Sequence, residues 1–242
     1  MEDFADLSVV IPYFNPGSAL LSHISDLVKI LDDSGMKYEI IAVSDGSTDG
    51  SKESIEGLFP EVLRNIVLPR NFGKGHALRV GFSAANGRYI GFIDGDGDIP
   101  AVNLNSVIEL INTSNPDLII GSKRHPDSEV FYPFLRRAYS WGYQRLVSLL
   151  FSLAVMDTQT GLKFASRDLV VSALPQMVEE HFALDLELLV IAKKLGFAEI
   201  VEVPVVIKRR ETSTVSYKAV VQMLADTSRV FIRSRVLGKY SK

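Results

Sequence analysis

Cysteine is absent from all 242 residues. Zinc ribbons, iron–sulfur centres, disulfide scaffolds and thiol nucleophiles are thereby excluded. No run reaches the ~18 apolar residues that a membrane-spanning helix requires. The longest suspect, Leu146 to Met156, is short and interrupted by Ser148 and Ser152. The segment Met1 to Asp6 carries Glu2, Asp3 and Asp6 and no base. No apolar signal-type stretch follows, so a secretory leader is not expected and a cytoplasmic location is. Several chemical signatures are missing too. There is no G-x-x-x-x-G-K-[ST] phosphate loop and no G-x-S-x-G nucleophile elbow. Gly73-Lys74-Gly75-His76-Ala77-Leu78 begins like a dinucleotide fingerprint but lacks its last glycine. The histidines at 23, 76, 125 and 181 show no metal-ligand spacing.

What remains is globular: 47% hydrophobic and 23% charged residues rule out wholesale disorder. The net charge of −3 is unevenly spread. Six bases against one acid give residues 218–242 a charge of +5, leaving −8 for the rest. An acidic body with a basic end points to contact with an anionic surface, against the plainer reading of a solvated helix face.

Short apolar runs alternate with helical periodicities through the first half. Strands are expected at Leu7–Pro12, Glu39–Val43, Asn65–Leu68, Tyr89–Ile93 and Asp117–Gly121. Helices are expected at Ser18–Leu31, Asp49–Leu58, Gly75–Ala85 and Leu104–Ile111. This order predicts an α/β fold, a mostly parallel sheet with helices on both faces. Further on, helices are expected at Phe134–Phe151, Leu184–Leu195 and Tyr217–Leu237, and a strand broken by Pro204 at Glu199–Ile207. The last helix is amphipathic and basic, suited either to a membrane surface or to docking on the core.

In such sheets ligands bind at the carboxyl ends of the strands. Three polar clusters fall there: Tyr13–Asn15, Ser44–Asp49 and Asp94–Asp98. Asp94, Asp96 and Asp98 alternate with two glycines, so their carboxylates can converge on one point. Like charges that close disfavour ionisation, and a divalent cation resolves the conflict. Carboxylate oxygens suit Mg²⁺ or Mn²⁺. An EF-hand is excluded, because Ile99 stands where its glycine would be and Asn105 where its glutamate would be. An ion held by few carboxylates keeps positions open for phosphates, and a sugar nucleotide is one fitting ligand.

The strings VVIPYFNP (9–16), SDGSTDGS (44–51), RNFGKGHALRVGFSAANGRYIGFIDGDGD (70–98) and GSKR (121–124) occur in an order that resembles inverting glycosyltransferase family 2. DTQTGLKFASRD (157–168), FALDLELLVIAKKLG (182–196) and EVPVVIKRRETSTVS (202–216) are similar to dolichyl- and polyprenyl-phosphate sugar synthases, with a lean toward the glucosyl branch. The resemblance implies a GT-A domain over residues 1–216, followed by a basic amphipathic helix at 217–242. It implies metal-dependent transfer of a hexose from a sugar nucleotide to a polyprenyl phosphate, with UDP-glucose first and GDP-mannose or a UDP-N-acetylhexosamine as alternatives.

It also assigns residues. Nucleotide-sugar contacts fall to Pro12, Tyr13, Asn15, Asp45, Lys74, Asp94, Gly95 and Asp96, and the metal to Asp94, Asp96 and Asp98. Catalytic roles fall to Asp96, Lys123, Arg136, Arg137, Asp157 and Arg210, the bases facing phosphates. Phe14 and Pro16 depart from the family's P-x-Y-N-E, Ser44 from its D-D-G-S, and Lys123 from its G-S-R. The first two changes fall where the base is held, so the donor's identity is the part least transferable.

A phosphate acceptor has a second pKa of ~6 and is already a nucleophile at neutral pH. A hydroxyl acceptor would instead need a carboxylate base, for which Asp157 is the candidate. Asp157 as a structural anchor stands beside that role. The aromatics Phe131, Tyr132, Phe134, Trp141 and Tyr143, with Arg136, Arg137 and Arg145 among them, predict peripheral attachment to the cytoplasmic face of a membrane. A separate membrane-spanning subunit is the competing arrangement. Two other functions stay open: transfer to a glycan hydroxyl, and a non-catalytic sugar-nucleotide-binding subunit.

Overall fold

In the computed structural model, residues 5–130, 134–207 and 217–240 are described, the side chains of 134–140 and 217–219 excepted. Arg210, Phe131 and Tyr132 lie outside the described residues, as do the side chains of Phe134, Arg136 and Arg137.

The chain begins β1 (Leu7–Tyr13), α1 (Ala19–Ser34), β2 (Tyr38–Ser44), α2 (Ser51–Ser54), β3 (Leu63–Val67), α3 (Lys74–Ala84) and β4 (Tyr89–Ile93). It continues α4 (Leu104–Thr113), β5 (Leu118–Ser122), β6 (Glu129–Val130), α5 (Phe134–Phe151), β7 (Leu162–Ser166) and α6 (Arg167–Ala173). It closes with α7 (Leu184–Leu195), β8 (Ile200–Pro204), β9 (Val206–Ile207) and α8 (Tyr217–Phe231), which runs into a π-helical turn, Ile232–Val236.

The main sheet has the order β3-β2-β1-β4-β7-β5-β8. Its pairs are parallel except those of β7, which runs antiparallel to both β4 and β5. The expected β-αβ alternation is therefore present, with one reversed strand inserted near the centre. Successive residues of β1 face opposite sides, as the two-residue period of a strand requires. Val10 packs with Ile41, Val43 and Phe92 against α3, α6 and α7. Leu7, Val9 and Ile11 pack with Ile40 and Ala42 against α1 and α4. Both faces are buried, which explains why these strands read as continuous apolar runs.

One expectation was too generous. The helix at Asp49–Leu58 is only the four residues of α2, bounded by left-handed backbone at Gly50 (φ 83°) and by non-helical Ile55 (φ −113°). The strand expected at Glu199–Ile207 is broken at Pro204 as the sequence indicates, and its two pieces lie in two sheets, since β8 ends at Pro204 and β9 pairs with β6.

Reversal of β7 matters for the site. It pairs Leu162 with Ile93, and Asp94 N donates to Gly161 O at 3.0 Å. The 157–161 loop is thereby delivered to the same sheet edge as the ends of β1, β2 and β4.

Candidate active site

At that edge lies a cavity of about 480 Å³, a common size for a small-molecule site. Its walls come from the segments that follow β1, β2 and β4, from the start of α3, and from residues 181–185 before and within α7. Pro12, Tyr13, Asn15, Asp45, Lys74, Asp94, Gly95 and Asp96, all expected as nucleotide-sugar contacts, line it.

Local hydrogen bonds fix these segments. Tyr13 OH donates to Asn65 Oδ1 at 2.9 Å. Asn15 Oδ1 accepts from Thr48 N at 2.8 Å, and Asn15 N donates to Ser47 Oγ at 3.1 Å, so the first two loops hold each other. Asp45 is buried and accepts from Phe72 N (2.7 Å) and Gly73 N (2.9 Å). It therefore pins the start of α3, whose N-terminal end with Gly73 and Lys74 opens on the cavity. A helix N-terminus carries a partial positive charge and unpaired N–H groups, which favours an anion there.

The floor is a chain of charges. Lys74 Nζ lies 2.7 Å from Asp94 Oδ1 and 3.8 Å from Asp185 Oδ2. Lys163 Nζ lies 3.7 Å from the same Asp185 oxygen and donates to Thr160 O at 2.6 Å. Burial acts to lower the Lys74 pKa, but Asp185 and Asp94 outweigh it and hold the ammonium above the usual lysine value. Burial wins at Lys163, whose pKa falls below the usual value despite Asp185. Asp185 Oδ1 is buried with no hydrogen-bond partner among the described residues. An unpaired buried carboxylate oxygen is costly, and this one is closed off from solvent behind the cavity wall.

Asp94 presses against the β7 loop. A Cβ at Gly161 would stand 1.9 Å from Asp94 Oδ2, so a larger residue there would displace the Asp94 carboxylate. Asp96 Oδ1 accepts from Asp98 N at 3.1 Å. Asp94 and Asp96 reach the cavity, while Asp98 is not in its lining. Among the described residues no group of three His, Cys, Asp or Glu side chains is drawn together. Of the triplet expected from the sequence, Asp94 and Asp96 line the cavity and Asp98 meets Asp96 through its backbone N–H. Two carboxylates in the wall of this cavity fit Mg²⁺ or Mn²⁺, which keeps most of its ligands as water and phosphate oxygens.

Asp157 and Lys123 meet each other away from the cavity lining. Asp157 accepts from Lys123 N (3.1 Å), Gln159 N (3.0 Å) and Thr160 Oγ1 (2.6 Å), with Lys123 Nζ at 3.5 Å. Burial acts to raise its pKa, but Lys123 and these donors hold it below the ordinary carboxylate value. A carboxylate so occupied is a poor base and a good anchor. Gln159 does line the cavity.

Sequence reasoning did not single out Lys163, His181, Phe182 or Asp185. The available signal was a pair of carboxylates, Asp185 and Glu187, set in the apolar run that opens α7. Both are buried.

An open α/β sheet whose strand ends carry a carboxylate pair, a lysine and a helix N-terminus suits an anionic, phosphate-bearing ligand. The chain belongs to glycosyl transferase family 2, which matches residues 8–170, and it is a glycosyltransferase. It is 29% identical over 243 residues to the dolichyl-phosphate beta-glucosyltransferase of Dictyostelium discoideum, covering 94% of this chain and 74% of that protein. It is 30% identical over 218 residues to the Saccharomyces cerevisiae protein of the same name, covering 80% of this chain and 65% of that one. Among solved structures it resembles Mycobacterium tuberculosis glucosyl-3-phosphoglycerate synthase in complex with UDP. The TM-score is 0.71 at 19% identity, over 94% of this chain and 80% of that one. The same enzyme with Mn²⁺, UDP-glucose and phosphoglyceric acid gives 0.71 at 20% identity, over the same 94% and 80%. The fold is the GT-A fold.

Proposed function

We propose that this chain transfers glucose from UDP-glucose to the phosphate of dolichol or another polyprenol, with inversion at the anomeric carbon. The observation that carries the reading is the cavity floor, where Lys74, Asp94, Asp96 and Asp185 face one 480 Å³ space beside a helix N-terminus. The named glucosyltransferase relatives support the lipid-phosphate acceptor, and the UDP-glucose complexes of the structural neighbour support the donor.

Asp94 and Asp96 would hold a divalent ion, which when bound supplies positive charge to the departing diphosphate. Lys74 and the N-terminal end of α3 act on the same anion. Asp185 holds Lys74 and, behind it, Lys163 at the cavity floor. Asp45 keeps the start of α3 in place, and Asp157 keeps Lys123 beside the 157–161 loop. The attacking group is a phosphate dianion, so no residue has to remove its proton. Arg136, Arg137 and Arg210 are assigned to the acceptor phosphate, with Lys123.

A hydroxyl acceptor is the second reading. It draws on Asp185, a carboxylate of the cavity wall that would have to serve as the base.

The acceptor's lipid tail calls for a membrane surface. No helix among the described residues is long and apolar enough to cross one. Trp141 and Leu149 on α5, and Val221, Leu224, Ile232, Val236 and Leu237 in and after α8, are exposed apolar side chains. Arg145 lies over the Trp141 ring at 5.0 Å. Apolar side chains with cations among them suit an anionic bilayer surface, and residues 217–242 are assigned to that contact.

A donor panel tests the reading. Protein, polyprenyl phosphate and Mn²⁺ or Mg²⁺ are incubated with each common UDP- and GDP-sugar, and the lipid fraction is read by mass spectrometry. A hexosyl phosphoryl polyprenol formed from UDP-glucose and lost in Asp96→Ala is expected. No lipid product with any donor would refute it.

A further inference from the structure

The cavity wall at 178–183 has no helix or strand to hold it, yet it carries His181 and Phe182 into the cavity. Its backbone also crosses the start of α3. His76 N donates to Glu180 O at 3.1 Å, and a Cβ at Gly75 would stand 2.6 Å from Glu179 O. A small shift of this segment therefore moves Gly73 and Lys74 as well.

The segment is held from the C-terminal end of the chain. Glu187 is fully buried, and its Oε2 accepts from Val178 N (2.9 Å) and Glu179 N (2.8 Å). Its Oε1 accepts from Tyr240 OH (2.6 Å) and Arg233 Nη1 (3.3 Å). Arg233 Nη1 also donates to Glu179 Oε1 at 2.6 Å, and Arg229 reaches the other Glu179 oxygen at 3.2 Å. Two buried carboxylates side by side repel, and Arg233 is the cation that touches both. Asp185 and Glu187 are two residues apart on α7, so they project to nearly opposite sides. One carboxylate faces the cavity while the other fastens the wall beside it.

We propose that Arg233 and Tyr240 are positioning residues for the sugar-nucleotide site, acting through Glu187 and Glu179 on the 178–183 wall. The proposal rests on the reading of the cavity as a nucleotide site. It makes the basic C-terminal segment a working part of that site.

The test uses the full chain with UDP and Mn²⁺ in calorimetric titration, together with KM and kcat for UDP-glucose. Arg233→Gln and Tyr240→Phe remove the two donors, and Arg233→Lys restores the charge. Leu31→Ala, in the core on the far side of the sheet, is a destabilised control. Arg233→Gln should weaken UDP binding about tenfold, ~1.4 kcal/mol. The loss should appear in KM more than in kcat, and Arg233→Lys should recover part of it. Leu31→Ala should lower Tm and leave UDP binding unchanged. If Arg233→Gln does not fold, Tyr240→Phe, which deletes one hydroxyl, carries the test. The proposal fails if the folded variants bind UDP within about twofold of the parent, or if Leu31→Ala weakens binding equally. A parent protein that binds no nucleoside diphosphate at all would refute the nucleotide reading, and the proposal with it.

Discussion

Lys74 Nζ stands 2.7 Å from Asp94 Oδ1 at the floor of the cavity. The protein thus keeps its own cation against the carboxylate assigned to the metal, on the first residue of a helix whose N-terminus favours anions. A diphosphate entering there meets that ammonium as well as any bound ion. Lys74→Met should lower kcat/KM for the sugar nucleotide by about a hundredfold, ~2.7 kcal/mol. Steady-state kinetics at saturating Mn²⁺ checks this. A change below about threefold would place Lys74 off the phosphates.

Asp185 and Lys163 form the deeper pair, 3.7 Å apart and both buried. Removing one partner of a buried pair costs about 3–5 kcal/mol, because the other charge is left uncompensated. Asp185→Asn should therefore destabilise the fold and abolish transfer. Adding Lys163→Met removes the orphaned charge and should recover much of the stability but none of the activity. Urea unfolding of both variants gives the comparison. A double variant no more stable than Asp185→Asn alone would contradict the pairing.

Asp157 supplies a pH test. Its pKa in the folded protein lies below the ordinary carboxylate value, so the unfolded chain binds this proton more tightly. Its contribution is fully present above the unfolded value, about 4, and is lost as pH falls through the lower folded value. Asp157→Asn should cost on the order of 2 kcal/mol at pH 7, as expected for hydrogen bonds to a charged group. The gap from the parent should narrow below about pH 4. Denaturant midpoints across that range decide it, and a constant gap would show that the carboxylate's charge is not what stabilises.

Much of this was legible in the residues, for identifiable reasons. Val9, Val10, Ile11 and Ile40 to Val43 are buried on both faces, so their strands announce themselves as apolar runs. DGDGD follows directly on one such run, which puts Asp94 and Asp96 at the sheet edge where ligands bind. β7 was not foreseen, because its Lys163 looks like a surface residue. Only the long-range pairing of Leu162 with Ile93 shows that this lysine points at Phe92 and Asp185. Asp185 escaped notice because acidic residues in a helix's first turn have an ordinary explanation in the helix dipole. The C-terminal stretch offered two readings from its periodicity, and Val230 and Tyr240 show it buried against the core while Val236 and Leu237 stay exposed.

Those exposed residues carry the membrane prediction. Leu149→Glu and Val236→Glu should each weaken binding to anionic vesicles by about tenfold or more, since burying one such side chain is worth roughly 1.5–3 kcal/mol. UDP affinity should not change. Vesicle co-sedimentation at low and high salt provides the readout. Unaltered sedimentation of both variants would move the membrane contact elsewhere.

The most direct measurement compares two acceptors that differ only in the attacking group. Dolichyl phosphate and free dolichol are each incubated with the protein, UDP-glucose and Mn²⁺, and the lipid products are quantified by mass spectrometry. The account predicts glucosylated dolichyl phosphate and no product from dolichol, with Asp157→Asn retaining turnover because no base is required. Glucosylation of the free alcohol, or a product on neither lipid, would contradict it.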